Sequence, residues 1–579
     1  MGRLKYYLRR YWRRYFFGGF CLLGTATLVM LIPWWIREAV RIIEQGGSLR
    51  DVTFYAALIG AAAVMQGIVR TVSRVLIFNA GRNVEYDLRN DLFAHLQRLP
   101  VSFYHSHRTG DLMSRLINDI SAVRVMLGPG VLNFVNAPLY YVYALVIMFS
   151  MDARMTLAAL APFPILIYAA GKFRGKIMKN SLEVQQQMSV LSSHVQENLS
   201  GMHVVKAYAQ EKFQTADFVG LNEDYREKST KMARLRGIVT PVMQGINGLT
   251  ILIVIWYGGI RVARGDLLVA DIVAFIAYLN VLAWPTAAFG WMFSLVERGR
   301  AAMKRLEEIF KIEPAIADGE SPLPIHRVEE GIEFRDVSFA YERQKNGHGA
   351  LKGVNFTLPV GRTVGLVGRI GSGKTTAAQL VPRLFDVSSG EILLDGRDIR
   401  KLSLRELRKT LGYVPQDPFL FSTSLRRNLA FGREELTEEE LNRAVAIAKL
   451  DRDLDIFPQK LATIVGERGV TLSGGQKQRA TLARALVMDP PVLILDDCLS
   501  SVDAQTEAEI LHGLRSILKE KTCLIISHRI SAVREADEIL VFDEGNIIER
   551  GSHEELVRHG GVYAELYQQQ RLSEELEQI

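Results

Sequence analysis

The first 300 residues carry long apolar stretches at 16–36, 54–78, 131–150, 155–170, 238–258 and 267–293. Most approach the ~20 residues with which a helix crosses the hydrocarbon of a bilayer. Residues 16–36 and 54–69 hold no charge at all, and buried helices of soluble proteins are seldom so pure over that length. The pattern predicts six membrane-spanning helices, an even number that puts both ends of the chain on one side. Lys and Arg say which side. They crowd the opening "RLKYYLRRYWRRYFF" and the long loops holding Arg82, Arg89, Arg98, Lys172, Lys176, Lys206 and Lys212, whereas the short connections 37–51, 152–154 and 261–266 hold few. Positive charge favours the cytoplasmic face, so both termini and the long loops are expected there.

Two of the loops are charged with helical spacing, in "VEYDLRNDLFAHLQRL" and in "LEVQQQMSVLSSHVQENLSGMHVVKAYAQEKFQTADF". They predict helices that run on from the membrane into the cytosol, with tips near 104–111 and 209–218 placed to meet a cytoplasmic domain; solvated surface helices fit the pattern equally well. Past residue 310 the texture changes. "EPAIADGESPLPIHRVEEG" has the prolines, glycines and acids of a linker. The alternating "IEFRDVSFAY" then opens a region where strand-like and helix-like segments take turns, which predicts an α/β domain with a largely parallel sheet. The expected layout is a helical membrane domain over 1–310, a linker over 311–331 and an α/β domain over 332–579.

Composition agrees with that division. The 579 residues are 48% hydrophobic with a mean hydropathy of +0.09, too apolar for a cytosolic protein and too charged for an all-membrane one. The net charge of +7 is spread along the chain and gathers beside apolar runs, the distribution of membrane flanks and not of a nucleic-acid surface. Cys21, Cys498 and Cys523 stand far apart in apolar runs, as core residues and not as a disulfide or metal set. "RRYFFGGF" looks like a twin-arginine export signal, but five further apolar runs follow it, and a basic aromatic helix lying at the headgroups accounts for it better.

The most specific chemistry lies in "TVGLVGRIGSGKTTAAQLVPRLF". An apolar strand runs into Gly368, Arg369, Ile370, Gly371, Ser372, Gly373 and Lys374, and a helix begins with Thr375 and Thr376. Glycines let backbone N–H groups curl around phosphate oxygens, the helix N-terminus adds its dipole, Lys374 reaches the terminal phosphates and Thr375 ligates magnesium. "VLILDDCLSSVD" is a buried strand delivering Asp496 to that Mg2+, with Asp497 placed as a base for water. Between them, "TLSGGQKQRATLARAL" puts Ser473, Gly474, Gly475 and Gln476 at a helix start suited to a γ-phosphate. This chain's own loop already surrounds its nucleotide, so the second terminus serves another.

Taken together, "GRIGSGKT", "LSGGQ", "VLILDD", "SSVD", Gln416 in "YVPQDPFLF" and His528 in "IISHR" resemble the full motif series of ATP-binding-cassette transporters. With spans fused ahead of the cassette, the chain resembles an exporter half-transporter of the bacterial multidrug class. The resemblance implies residence in the bacterial plasma (inner) membrane and a dimer with two sandwiched ATP molecules, each between one chain's phosphate loop and the other's LSGGQ. It further implies that Tyr341 stacks on adenine, Gln416 links magnesium to the membrane domain, Asp503 joins the facing sites, His528 holds the γ-phosphate and water, and "VGERG" at 465–469 touches intracellular loops.

One residue departs from the family. Glutamate is usual where this chain has Asp497, and the shorter side chain reaches about 1.5 Å less far. A misplacement of ~1 Å can cost roughly 100-fold in rate. A weakened site fits one subunit of a heterodimer whose partner, a second half-transporter, supplies the glutamate. A homodimer with two slow sites, exporting lipid or peptide, and a non-pumping regulatory membrane protein are the alternatives. The expected activity is ATP-driven export of amphiphilic small molecules by alternating access among membrane lipids, with no nucleic-acid partner. Aromatic and amide residues such as Tyr140, Tyr141, Asn133, Gln244, Asn247 and Asn280 either line a cavity or pack between helices. Arg70 and Arg74, one turn apart near the inner end of the second span, favour anionic or zwitterionic amphiphiles if they face a cavity.

Overall fold

The computed structural model describes residues 2–341, 349–433, 435–466 and 471–577. They form two compact units: Met1–Leu96 with Thr109–Ile312, and Gln97–Arg108 with Glu313–Ile579.

The first unit is helical throughout. A short helix α1 (Gly2–Arg10) precedes α2 (Trp12–Glu44), α3 (Leu49–Leu96), α4 (Thr109–Met151), α5 (Ala153–Leu160), α6 (Phe163–Ser200), α7 (Glu211–Ala263) and α8 (Val269–Phe310). Among the described residues, α2, α3, α4, α7 and α8 are long and apolar enough to cross a membrane. The count is thus five where the hydrophobic pattern gives six. The segment expected as the fourth span, 155–170, is divided between α5 and α6 at Ala161 and Pro162. The reason is local, because Pro162 and Pro164 lack the N–H groups that would carry α5 onward. The charged extensions expected of the long loops are present, since α3, α6 and α7 run 48, 38 and 53 residues without a break.

The basic aromatic opening is tied down by side chains. Tyr7 is buried and donates to Asp91 at 2.6 Å, and Tyr11 donates to Asp87 at 2.7 Å, both acids lying on the charged extension of α3. Other cations of this unit are paired as well. Glu85 accepts Arg82, Arg89 and Arg124 at 3.0, 2.9 and 3.2 Å; Arg37 meets Asp271 at 2.6 Å, and Arg305 meets Asp119.

The second unit holds two sheets. The smaller, in the order β2 (Leu351–Pro359), β1 (Gly331–Phe339), β4 (Ser389–Leu394), β5 (Arg397–Asp398), is antiparallel. The larger runs in the order β10 (Asn546–Gly551), β9 (Glu538–Asp543), β3 (Thr363–Gly368), β8 (Thr522–Ile526), β7 (Val492–Asp496), β6 (Leu411–Val414). All its neighbours are parallel except β10 with β9. Strands β3, β7 and β8 are buried along their whole length, as befits a parallel sheet covered on both faces. In open parallel sheets ligands gather beyond the carboxyl ends of the strands, and here four such ends carry chemistry. In spatial order they are β3 before the phosphate loop, β8 before His528, β7 before Asp497 and β6 before Gln416. The segment Gln97–Arg108 belongs to this unit, with Val101 against its core and the His105 ring 5.9 Å from Phe385.

Candidate functional site

The phosphate loop leaves β3 at Gly368 and enters α9 (Lys374–Leu380) through Gly373. Gly373 has φ +103°, and a Cβ there would lie 2.4 Å from the Ala350 carbonyl oxygen. Position 373 therefore accepts glycine alone, both for its left-handed backbone and for the close approach. Arg369, Ile370 and Gly371 are exposed around the loop while Ser372 is buried. Lys374 is only 4% exposed. Its ammonium donates to the carbonyls of Gly368 and Arg369 at 2.9 and 2.8 Å and to Ser372 Oγ at 3.2 Å. Burial pulls its pKa down to about 8, against the pull of the Asp497 and Asp496 carboxylates. A cation held by its own loop's oxygens is poised to exchange them for phosphate oxygens.

Asp496 ends β7 with no exposed surface. Its carboxylate accepts Thr375 Oγ1 at 3.0 Å and the Tyr413 hydroxyl at 3.4 Å. Burial raises its pKa to about 6, with the two hydroxyl donors opposing. Thr375 and Asp496 thus stand together as the oxygen donors a hard cation requires.

Asp497 is 7% exposed. Its amide donates to the Ile526 carbonyl at 2.8 Å, its Oδ2 lies 3.5 Å from Gln416 Nε2, and its Oδ1 lies 3.4 Å from the His528 amide. Its φ is +46°, a region that aspartate enters more readily than longer side chains because its short carboxylate bonds locally. His528 is partly buried, and burial followed by the Lys374 charge lowers its pKa. It is therefore neutral near pH 7. Cys498, which follows Asp497, is buried with its thiol pushed up to about 12 by burial, the inert core role expected of it.

The signature residues form a second, separate cluster. Ser473 caps α10 (Gly474–Val487): its Oγ accepts the Gln476 amide at 3.2 Å, while Gln476 Oε1 accepts the Ser473 amide at 2.9 Å. Ser473 and Gly474 are exposed, and Gly475 packs so close to Ser501 that a Cβ would meet its carbonyl oxygen at 2.9 Å. Asp503 caps α11 (Ala504–Leu518) by accepting the Thr506 amide at 2.9 Å. Tyr341 is engaged from two sides. Its ring lies edge-on to Phe339 and Phe385 at 4.8 and 5.5 Å, and its hydroxyl lies 3.2 Å from Thr376 Oγ1 and 3.3 Å from Gln379 Oε1. In "VGERG", residues 467–469 lie outside the described residues, while the Val465 amide donates to the Thr423 carbonyl at 3.0 Å.

Three residues that motif reading passes over shape this site. Tyr413 gives its hydroxyl to Asp496; a tyrosine in a strand of a buried sheet needs a partner for its oxygen, and that was the available signal. Gln478 donates to Ser500 Oγ at 2.9 Å and accepts the Ser501 amide at 2.8 Å, while Ser500 Oγ donates to the Asp497 carbonyl at 3.0 Å. Gln570, on α12 (Val562–Glu577), accepts the Ile530 amide at 2.8 Å and donates to the His528 carbonyl. No sequence spacing marks Gln570, 42 residues beyond its partner.

Comparison with known proteins agrees with this geometry. Residues 15–286 match the family model for the ABC transporter transmembrane region, and residues 351–500 match the family model for ABC transporter. The chain is 35% identical over 572 residues, covering 98% of it and 97% of the relative, to the probable multidrug resistance ABC transporter ATP-binding/permease protein YheI of Bacillus subtilis. It is 36% identical over 578 residues, 99% of it and 97% of the relative, to the multidrug resistance-like ATP-binding protein MdlA of Escherichia coli. It is 31% identical over 550 residues, 95% of it and 91% of the relative, to an ATP-dependent lipid A-core flippase of Syntrophus aciditrophicus. Among solved structures, a bacterial Atm1-family ABC exporter with ATP bound superposes with a TM-score of 0.79 at 26% identity, over 97% of this chain and 98% of that one. A helical membrane unit and an ATP-binding unit with a complete phosphate loop thus share one polypeptide, and the chain belongs to the ABC transporters as a multi-pass exporter with its ATPase fused to its membrane domain.

Proposed function

We propose that the chain is one half of a dimeric pump that uses ATP to export amphiphilic small molecules, multidrug-like or lipid-like, by alternating access. The observation that supports this most is the constellation at the strand ends of the second unit, Lys374, Thr375, Asp496, Asp497 and His528, on the same chain as five membrane-length helices. Relatives bearing the names of multidrug and lipid A-core transporters support the substrate class.

In this reading residues 368–376 hold the phosphates, and Thr375, Asp496 and Gln416 would hold Mg2+, which would supply positive charge against the negative charge of the phosphates. Lys374 leaves its loop carbonyls for the terminal phosphate oxygens. Asp497 orients the attacking water, and neutral His528 accepts a hydrogen bond from it. Ser473, Gly474, Gly475 and Gln476 cover the γ-phosphate of the nucleotide held by the other chain, with Asp503 at the seam and Tyr341 beside the adenine. The segment 155–170 completes six spans across its break, and the arginine-rich start of the chain supports a bacterial inner-membrane placement with both termini and the ATPase unit in the cytoplasm.

The short carboxylate of Asp497 supports a heterodimer in which this chain's own site hydrolyses slowly and the partner supplies the effective base. ATP-dependent efflux of a fluorescent amphiphile from proteoliposomes tests the pump, and Lys374→Ala is expected to abolish it. Purifying the chain alone tests the pairing. A robust ATPase that Asp497→Ala destroys would establish the homodimer instead, the reading that the intact His528 favours.

A further inference from the structure

We infer that Arg70, Arg74 and Asn136 form a binding subsite in the membrane unit for the phosphate head group of an amphiphile. This rests on the export reading above and names the chemistry of what is exported. A cavity of about 70 Å³ lies among α2, α3, α4 and α8, and its lining includes Thr25, Arg70, Arg74, Asn133, Asn136 and Trp284.

Two features single this cavity out. Arg82, Arg89, Arg124, Arg37 and Arg305 are each matched by a carboxylate. Arg70 and Arg74 are exposed, and while the Arg70 carbonyl accepts Ser73 Oγ at 3.1 Å, their guanidinium groups have no hydrogen bond or ion pair among the described residues, and no acid lines the cavity with them. Two cations at one end of an apolar span are costly without a counter-charge. An oxyanion lying between them supplies that counter-charge, and guanidinium groups grip phosphate through paired N–H donors. The second feature is the Asn136 side-chain oxygen, which is buried and has no hydrogen-bond partner. It calls for a donor. A phosphate monoester brings both, with oxygens for the arginines and, singly protonated, an O–H for Asn136; its second ionisation lies near ~6. Asn133 is fixed nearby by donating to the Pro129 carbonyl at 2.8 Å, and the exposed Trp284 supplies an apolar flank for a tail.

Position along α3 fits a lipid-side entry. Asp51 and Arg70 are 19 residues apart, which at ~1.5 Å per residue spans about 29 Å, close to the ~30 Å of hydrocarbon. Counted from the start of the apolar run at residue 54, Arg70 and Arg74 lie about 24 and 30 Å along the helix at ~1.5 Å per residue, at the inner end of the hydrocarbon within reach of the inner-leaflet head groups.

The test is binding by the full-length transporter in nanodiscs, read as a ligand-dependent thermal shift with dodecyl phosphate, inorganic phosphate and dodecyltrimethylammonium. Dodecyl phosphate is expected to bind. Arg70→Gln with Arg74→Gln should weaken it by roughly tenfold to a hundredfold, as for loss of hydrogen bonds to a charged group. Asn136→Ala should weaken it several-fold, and Arg70→Lys with Arg74→Lys should retain more affinity than the glutamines. Inorganic phosphate binding as tightly as the dodecyl ester would assign the oxyanion to solution instead of the bilayer and so overturn the amphiphile. Equal dodecyl phosphate affinity in wild type and in both the glutamine and Asn136→Ala variants, or preference for the ammonium, would overturn the subsite. Should the glutamine pair not fold, the ligand panel on wild type and on Asn136→Ala decides. ATP-driven efflux of cationic dyes that survives a negative result here separates failure of the subsite from failure of the pump.

Discussion

Raising the pH from 7 to 9 is expected to weaken ATP binding about tenfold. Lys374 is 4% exposed, and burial brings its pKa to about 8, where an ordinary lysine stays charged to ~10.4. Only the ammonium form pairs with a terminal phosphate. With a pKa of about 8 the charged fraction falls from about 0.9 at pH 7 to about 0.1 at pH 9, and the apparent Kd rises by their ratio. Stability of the empty ATPase unit should move the other way. A base whose folded pKa lies below its unfolded value binds fewer protons when folded, so the penalty is fully present below pH 8 and fades as pH rises towards ~10.4. The assay is equilibrium titration with a fluorescent ATP analogue at constant ionic strength and without magnesium, which removes Asp496 from the comparison, paired with thermal melting of the nucleotide-free protein. Lys374→Arg, charged at every pH used, should flatten the binding profile. A wild-type Kd that does not change between pH 7 and 9, or an identical rise in Lys374→Arg, would refute the reasoning.

Asp496, raised to about 6 by burial, must be ionised to serve a cation, so the magnesium requirement for ATPase should steepen as pH falls through about 6; Asp496→Asn should abolish magnesium dependence at every pH, as a metal titration at pH 5.5 and 7.5 would show. Gly474→Asp places a negative charge at an exposed helix start meant for a γ-phosphate, and should stop turnover at the site completed by the other chain; normal ATPase in that variant would mean the signature serves some other contact. Gln570→Ala removes the amide that bridges the His528 carbonyl and the Ile530 amide, and should lower kcat several-fold, at ~1 kcal/mol per hydrogen bond, with little change in KM for ATP; a KM effect of equal size would point to general loss of folding instead.

The sequence is most readable where one residue type has one physical reason. Gly373 follows from its backbone, Lys374 and Thr375 from phosphate and metal chemistry, and Asp496 from its place at the end of an apolar strand. Hydrophobic length also locates most of the membrane helices, but it cannot see the break at Ala161 and Pro162, because apolarity continues through a proline that ends the helix. Tyr341 shows a different limit. The resemblance implies an adenine-stacking ring, and the sequence does not show what else holds it: beside its near neighbour Phe339 it meets Phe385 and Thr376, the last two from segments distant in sequence. Gln478 and Gln570 are illegible for the same reason, as each acts through an amide whose partners are fixed only by tertiary packing. Arg70 and Arg74 are conspicuous as charges in an apolar run, but that their guanidinium groups lack partners among the described residues is a fact of the fold.

The hydrogen bonds from Gln478 through Ser500 to the Asp497 carbonyl would, in the proposed dimer, tie the helix that caps one nucleotide to the acid that serves another. In the proposed dimer, a shift of α10 on the partner's phosphate is felt at the backbone of this chain's own catalytic acid, without any membrane helix as intermediary. Such a coupling is reciprocal for binding free energies. A slow Asp497 site would then work as a clock: by holding its ATP through several turnovers opposite, it would keep the two ATPase units in register and set how far they separate between strokes.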